Sequence, residues 1–156
     1  MTEQEFWELI HGVGGLAGFL DGGQENLVAA LAARSPGDLE DFADHLAGVL
    51  FRLDRADLAR QPAKDSAERH RPVEMSADTF LYARCAVVLA GRERYLEVLA
   101  DPAAFRDFTD VVSQHADGLL EVAPEAYEEA TGDEWSHVEP FDYETGSNKE
   151  GWARRP

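Results

Sequence analysis

The sequence predicts an all-α fold: a single compact helical domain of about six to seven helices, followed by an irregular C-terminal tail. Three observations lead to this prediction. Apolar residues recur every three or four positions, the spacing of a helix that buries one face. Residues that cap helices, such as Ser35 and Ser76, precede these stretches. No stretch alternates between apolar and polar residues as a half-buried strand does. We place the helical domain at residues 1–132 and the tail at residues 133–156.

Length and composition limit the class of protein. A chain of 156 residues, 44% of them hydrophobic, is long enough to bury a core without disulfides. The single cysteine, Cys85, is expected to be a buried and unreactive thiol. No apolar run reaches the ~18 residues that a membrane helix needs, and residues 1–5 are acidic, unlike the start of a signal peptide. These features predict a cytoplasmic protein.

The N-terminal third contains the first two predicted helices. Thr2 and Glu5 form a capping box, after which Phe6 and Ile10 follow at helical spacing. Glycines at positions 12, 14, 15 and 18 are expected to end this helix in a turn. They do not predict a phosphate loop, because no strand precedes them and no Lys-Ser/Thr pair follows. Apolar residues at positions 27, 28 and 31 mark the second helix.

The clearest helix follows. Ser35 is a suitable N-cap, and Pro36 stands at the first helical position, where a missing N–H costs nothing. An apolar stripe of roughly four turns then runs through Leu39, Phe42, Leu46, Val49, Leu50 and Leu53. Burial of each of these side chains contributes about 1.5–3 kcal/mol, so we expect a core helix. Beside the stripe, a strip of Asp38, Asp41 and His45 is interpreted as a solvated edge rather than a metal site.

The remaining elements are a loop, four helical stretches and the tail. Residues 61–75 lack periodicity and are locally basic, with His70 among them. Helices are predicted from Ala77 to near Gly91, from Arg92 to Ala100, after the Asp101-Pro102 pair, and from Pro124 to Gly132. The tail carries Trp135 and other aromatic residues among acids and glycines. It either drapes over the body or stays disordered until a partner binds.

The net charge of −17 is the most unusual property of the chain. A field of this sign repels nucleic-acid phosphates and anionic membrane surfaces. We therefore predict no nucleic-acid partner and no membrane partner. The charge favours a basic protein partner, or it serves solubility alone.

Three segments together resemble a bacterial family known only as domain of unknown function 4240, common in actinomycetes. They are residues 5–10 (EFWELI), residues 76–102, which include SADTFLYAR and GRERY, and residues 122–132 (VAPEAYEEATG). The resemblance implies membership without a settled activity. This chain is identified as a divergent member, because the family's Trp-Asp-Leu-Trp type run corresponds here to residues 53–58, without tryptophan. The family's paired aspartates are reduced to Asp78, and its Tyr-Phe-Arg run is Tyr82-Ala83-Arg84.

The candidate site residues come from that motif and the neighbouring loop. Asp78 and Tyr82 are four residues apart and share a helical face, and Arg84 offers planar donors for an anion or amide. The alternative is that Asp78 stabilises a helix start and Arg84 is a structural residue paired with carboxylates. His70 in the loop and Trp135 in the tail complete the set of candidate binding residues. We predict no catalytic residue, no metal site and no cofactor, since no catalytic or ligand motif is present.

Two functions are consistent with these observations. The first is a non-enzymatic protein-interaction or regulatory module, such as an acidic immunity-type partner of a basic protein. The alternative is a small-molecule-binding protein, or an enzyme without a recognisable motif, with its site near Asp78, Tyr82, Arg84 and the 61–75 loop. A third hypothesis, a DNA mimic, rests on acidity alone. The oligomeric state stays open.

Overall fold

The computed structural model describes residues 1–64 and 74–153. All regular structure in these residues is helical, which confirms the all-α prediction. In chain order the α-helices are α1 (Glu3–Gly12), α2 (Gly15–Gly18), α3 (Gln24–Ala32), α4 (Pro36–Leu53), α5 (Ala56–Ala59), α6 (Ala77–Leu89), α7 (Arg92–Ala100), α8 (Val122–Thr131) and α9 (Lys149–Trp152). A π-helical turn at Phe19–Gly23 joins α2 to α3, and 3-10 helices at Pro102–Phe108 and Val112–Glu121 lie between α7 and α8.

Helices α4 and α6 form the centre of the core. The Ser35 hydroxyl caps α4 by accepting the Asp38 N–H at 3.3 Å, and every residue of the predicted apolar stripe is buried. In α6, all residues from Phe80 to Leu89 except Tyr82 are buried. A helix that is apolar on every side is surrounded by other elements. Accordingly α6 packs against α4, α7 and both 3-10 helices.

The glycines after α1 form a tight turn in the connection from α1 to α3, two helices that line one groove. Helix α1 ends at Gly12, and Gly14 adopts a φ of 82°, which favours glycine. A Cβ on Gly18 would lie 2.1 Å from the Val13 carbonyl oxygen, and one on Gly23 would lie 2.4 Å from the Gly18 carbonyl oxygen. These contacts require bare backbone at both positions, so the turn depends on glycine.

The segment after α7 differs in detail from the sequence prediction. The stretch that begins at Asp101-Pro102 is a 3-10 helix rather than an α-helix, with the Asp101 side chain accepting the Ala103 N–H at 3.1 Å. In the second 3-10 helix the buried residues are spaced by three: Ser113, Ala116 and Leu119. Because a 3-10 helix has three residues per turn, this spacing places all three on one face.

The tail lies along α4, and its described part includes the short helix α9. Edge-on packing of the Trp135 ring against Tyr127, at 5.3 Å between centroids, holds its beginning. Further on, Phe141 packs against Phe51 of α4 at 5.0 Å. Through residue 153 the tail is therefore packed on the helical body. No helix among residues 1–64 and 74–153 is long and apolar enough to cross a membrane.

Candidate functional site

The predicted cluster of Asp78, Tyr82 and Arg84 is divided between the surface and the interior. Asp78 is exposed in the first turn of α6, and Tyr82 is half-buried one turn later. The charge of Asp78 raises the pKa of Tyr82 above its ordinary value. Arg84 is 0% exposed, so it does not share a solvent-open surface with Asp78. His70, predicted to lie in the adjoining loop, is outside the described residues.

Arg84 is a buried cation with neutral hydrogen-bond partners. Its Nη1 donates to the Leu50 carbonyl at 2.9 Å, and its Nη2 donates to the Thr145 hydroxyl at 3.2 Å. The guanidinium carbon lies 4.7 Å from the centre of the Phe80 ring. Within the described part of the chain, Nε has no hydrogen-bond partner. Burial lowers the pKa of Arg84, which expresses the cost of holding this charge away from water.

Asp54 is the buried anion of the same region, and sequence analysis did not single it out. It follows the last residue of α4 and is 0% exposed. Its carboxylate accepts the backbone N–H groups of Gly146 (3.0 Å) and Asn148 (2.9 Å) and the indole N–H of Trp152 (2.7 Å). All these donors belong to the tail.

We call the surface that receives residues 145–152 the tail cleft. It is formed by Phe51 and Asp54 at the end of α4 and by Phe80 and Arg84 in α6. The cleft combines a carboxylate that accepts N–H groups, a guanidinium that donates to oxygen, and aromatic surface. This arrangement suits the binding of a polypeptide segment that offers N–H groups, a hydroxyl oxygen and an aromatic side chain.

Trp135, the last predicted binding residue, belongs to the first anchor of the tail. Its ring packs against Tyr127 and, at 5.5 Å, against His137. The His137 Nε2 lies 2.7 Å from the Asp44 carboxylate on α4. This hydrogen bond raises the pKa of His137. Trp135 thus contacts this chain rather than standing free on the surface.

A second surface, which we call the acidic groove, lies between α1 and α3 and has a volume of about 490 Å³. Leu9, Val13, Leu27 and Ala30 contribute apolar surface to it. The carboxylates that line it are those of Glu5, Glu8 and Asp21, and Arg34 is a lining cation. The glycine turn forms part of its wall, because Gly18 and Gly23 also line it. The groove therefore combines apolar surface with excess negative charge.

A larger groove of about 930 Å³ lies on the other side of α1, against the start of α7. Its arginines already have carboxylate partners. Arg92 lies 4.0 Å from Glu3, and Arg94 lies 2.9 Å from Asp107. This groove offers less uncompensated charge for a ligand than the acidic groove does.

Cys85 and the strip of Asp38, Asp41 and His45 on α4 are the remaining reactive side chains that sequence analysis considered. Burial raises the pKa of the Cys85 thiol to about 12, so at neutral pH this cysteine is protonated and a poor nucleophile. Asp38 and Asp41, from the strip on α4, contact the amino group of Met1, and His45 lies 3.2 Å from the Met1 carbonyl. Among the residues that the structure describes, no group of three or more His, Cys, Asp or Glu side chains could hold a metal ion.

Comparison with known proteins identifies a family but no characterised relative. A family model described as "Protein of unknown function (DUF4240)" matches residues 1–129. None of the curated proteins matches the chain, and neither does any solved structure. The matched region runs from α1 into α8 and ends before the tail. Because the model covers most of the sequence, the chain belongs to the DUF4240 family of proteins of unknown function.

Proposed function

We propose that this protein is a non-enzymatic interaction module that binds a basic amphipathic segment of another protein in the acidic groove. The observation that carries the proposal is the pairing of apolar residues (Leu9, Val13, Leu27 and Ala30) with acidic ones (Glu5, Glu8 and Asp21) in one groove. An amphipathic helix with lysines beside its apolar face complements both parts, because its apolar side chains enter the groove while its cations meet the carboxylates.

The charge of the whole molecule supports the same partner. A net charge of −17 attracts a basic protein over a distance and raises its association rate. The apolar surface of the groove then supplies short-range affinity, which long-range charge does not provide. The proposed role is that of a small regulator or an immunity-type protein that occupies a basic partner.

The cellular setting is part of this proposal. We infer a bacterial, cytoplasmic protein that is a divergent member of its family. Its single cysteine is a buried thiol, as expected for a protein that needs no disulfide. Divergence is supported by Asp78 and Ala83, which stand where the resemblance implies paired aspartates and a Tyr-Phe-Arg run.

The alternative is a small-molecule or enzyme site at Asp78, Tyr82 and Arg84. It has less support, because the Arg84 guanidinium is wholly buried and hydrogen-bonded to Thr145 of the tail.

The proposal is tested with a dye-labelled synthetic helix that carries leucines on one face and lysines on the other, and with a scrambled peptide of the same composition. Fluorescence anisotropy measures the binding of each peptide. We expect the amphipathic peptide to bind at least about five-fold more tightly than the scrambled one, and added salt to weaken its binding.

Paired variants separate the groove from the overall charge. Ala30→Glu places a charge in the groove, whereas Ala29→Glu adds the same charge on an exposed position of α3 outside it. We expect Ala30→Glu to weaken binding despite the added acid, and Ala29→Glu to leave it unchanged or slightly stronger. Similarly, two double variants are compared. Glu8→Gln with Asp21→Asn removes two negative charges from the groove, and Glu128→Gln with Glu129→Gln removes two from α8. Equal effects within each pair would show that the acidic groove is not the binding site.

A further inference from the structure

We propose that the tail cleft is a peptide-binding site that the chain's own tail occupies as a tethered ligand. The partner that it fits is a segment with the pattern Thr-Gly-x-Asn-x-x-Gly-Trp, which residues 145–152 supply as a turn followed by the short helix α9. This proposal does not depend on the acidic groove, because the two sites use different residues.

The contacts on the cleft side resemble ligand recognition more than ordinary packing. In the described chain, every hydrogen bond to the Asp54 carboxylate comes from the tail. Arg84 divides its hydrogen bonds between the body, at Leu50, and the tail, at Thr145. The cleft therefore holds two fully buried charged groups whose partners lie largely in a segment that follows the helical body.

The contacts on the tail side define the pattern. The Thr145 hydroxyl accepts from Arg84 and donates to the Ala77 carbonyl at 2.8 Å. The Asn148 side chain donates to the Phe51 carbonyl at 3.1 Å. Trp152 donates to Asp54 and packs edge-on against Phe80 at 6.2 Å between centroids. Each of the three side chains thus contacts the helical body.

Two glycines of the pattern are required by geometry. Gly146 has a φ of 91°, in the left-handed region that other residues rarely adopt. At Gly151, an added Cβ would lie 2.5 Å from the Asp54 carbonyl oxygen. Substitution at either position would strain the bound segment, so the cleft selects for sequence as well as for polarity.

The tail follows the part of the chain that the family model covers. The family match ends at residue 129, before the tail begins. Between the first anchor and the cleft, Val138 is 84% exposed and Phe141 is 44% exposed. Val138 therefore contributes little to docking and Phe141 contributes through Phe51, whereas residues 145–152 hydrogen-bond to the two buried charged groups, Asp54 and Arg84.

The experiment uses the full chain and a dye-labelled peptide with the sequence of residues 143–153. In the wild-type protein the tethered tail competes at an effective concentration near the millimolar range, so the peptide binds weakly. Trp152→Ala removes the anchor of the tethered tail and opens the cleft. We expect the peptide to bind this variant at least about ten-fold more tightly than the wild type. Circular dichroism checks that the variant stays folded.

Controls assign the binding to the cleft. Adding Asp54→Asn to the Trp152→Ala protein should abolish the gain in peptide affinity. A peptide that carries Gly151→Ala should also fail to show this gain. Trp135, the other tryptophan of the tail, packs on Tyr127 outside the cleft. Trp135→Ala should therefore leave peptide binding at the wild-type level.

Two results would overturn the proposal. Equal peptide binding to wild type and to Trp152→Ala would place the peptide elsewhere on the protein. Absence of binding to a folded Trp152→Ala protein would show that the tail is a fixed part of the core. Thr145→Val provides an independent second opening of the cleft, should Trp152→Ala fail to fold.

Discussion

Asp54 illustrates how a single buried charge can hold two parts of a chain together. It is wholly buried, and its hydrogen-bond donors are Gly146, Asn148 and Trp152. Sequence analysis could not identify it, because those donors lie 92 to 98 positions later and leave no local pattern. Arg84 was found through a motif, but the motif did not indicate whether the residue binds a ligand or the chain itself.

The role of Asp54 predicts a large loss of stability on substitution. Asp54→Ala leaves three tail N–H groups without their acceptor and Arg84 without its neighbouring counter-charge. We expect the free energy of unfolding to fall by about 3–5 kcal/mol. Asp57→Ala is the control, because the exposed Asp57 carboxylate pairs with Arg55 on the surface. Its removal should lower the free energy of unfolding by less than about 1 kcal/mol. Urea unfolding of both variants measures the difference, and similar losses would contradict this account of Asp54.

At the scale of elements, the glycine turn between α1 and α3 is set by close backbone contact. Gly18 has helical dihedral angles, so alanine fits the backbone conformation, but its Cβ would lie 2.1 Å from the Val13 carbonyl oxygen. We expect Gly18→Ala to destabilise the fold by about 1–3 kcal/mol. Gly37→Ala, in α4, meets only the Ser35 hydroxyl at 4.0 Å and should be neutral or stabilising by up to about 1 kcal/mol. Thermal unfolding compares the two variants. Equal shifts of their thermal midpoints would show that the backbone around Gly18 moves to accommodate the added Cβ, against this prediction.

These elements also show what the sequence could and could not predict. The starts of α1, α4 and α6 were predicted correctly, because Thr2, Ser35 and Ser76 cap them through bonds within three residues. The 3-10 form of residues 102–108 was not predicted, since Asp101-Pro102 starts either kind of helix equally well. The acidic groove was missed because its lining comes from both α1 and α3, and tertiary structure decides which of their residues face a common groove.

The first anchor of the tail is expected to depend on pH. The hydrogen bond to Asp44 raises the pKa of His137 above its ordinary value of 6.5. The folded state therefore holds this proton more tightly than the unfolded state. The stabilisation of the folded state by protonated His137 is complete below pH 6.5, and it is lost as the pH rises through the pKa that His137 has in the folded state. Cleavage of the tail by a protease should accelerate over that range. His137→Gln should remove the pH dependence and His115→Gln, at an exposed site, should retain it. A pH profile that His137→Gln leaves unchanged would exclude this residue as the cause.

At the scale of the whole molecule, one charge distribution has two opposing consequences. The net charge of −17 attracts a basic partner. The same acidic side chains also repel one another within the folded chain, which destabilises it. We expect part of this repulsion to act between α4 and the tail that lies along it, because both segments are rich in acidic residues. Salt screens both effects, since the Debye length falls to about 10 Å at 0.1 M and about 3 Å at 1 M.

The two consequences therefore respond to salt in opposite directions. Raising sodium chloride from about 20 mM to about 500 mM should increase the thermal midpoint by a few degrees, as screening relieves self-repulsion by roughly 1 kcal/mol. Over the same range the amphipathic peptide should bind the acidic groove more weakly, because its attraction is screened as well. Calorimetry and anisotropy on one set of samples measure both. A midpoint that falls with salt would show that the acidic surface stabilises the fold through ion pairs, and peptide binding that is insensitive to salt would show that the carboxylates around the groove do not contribute.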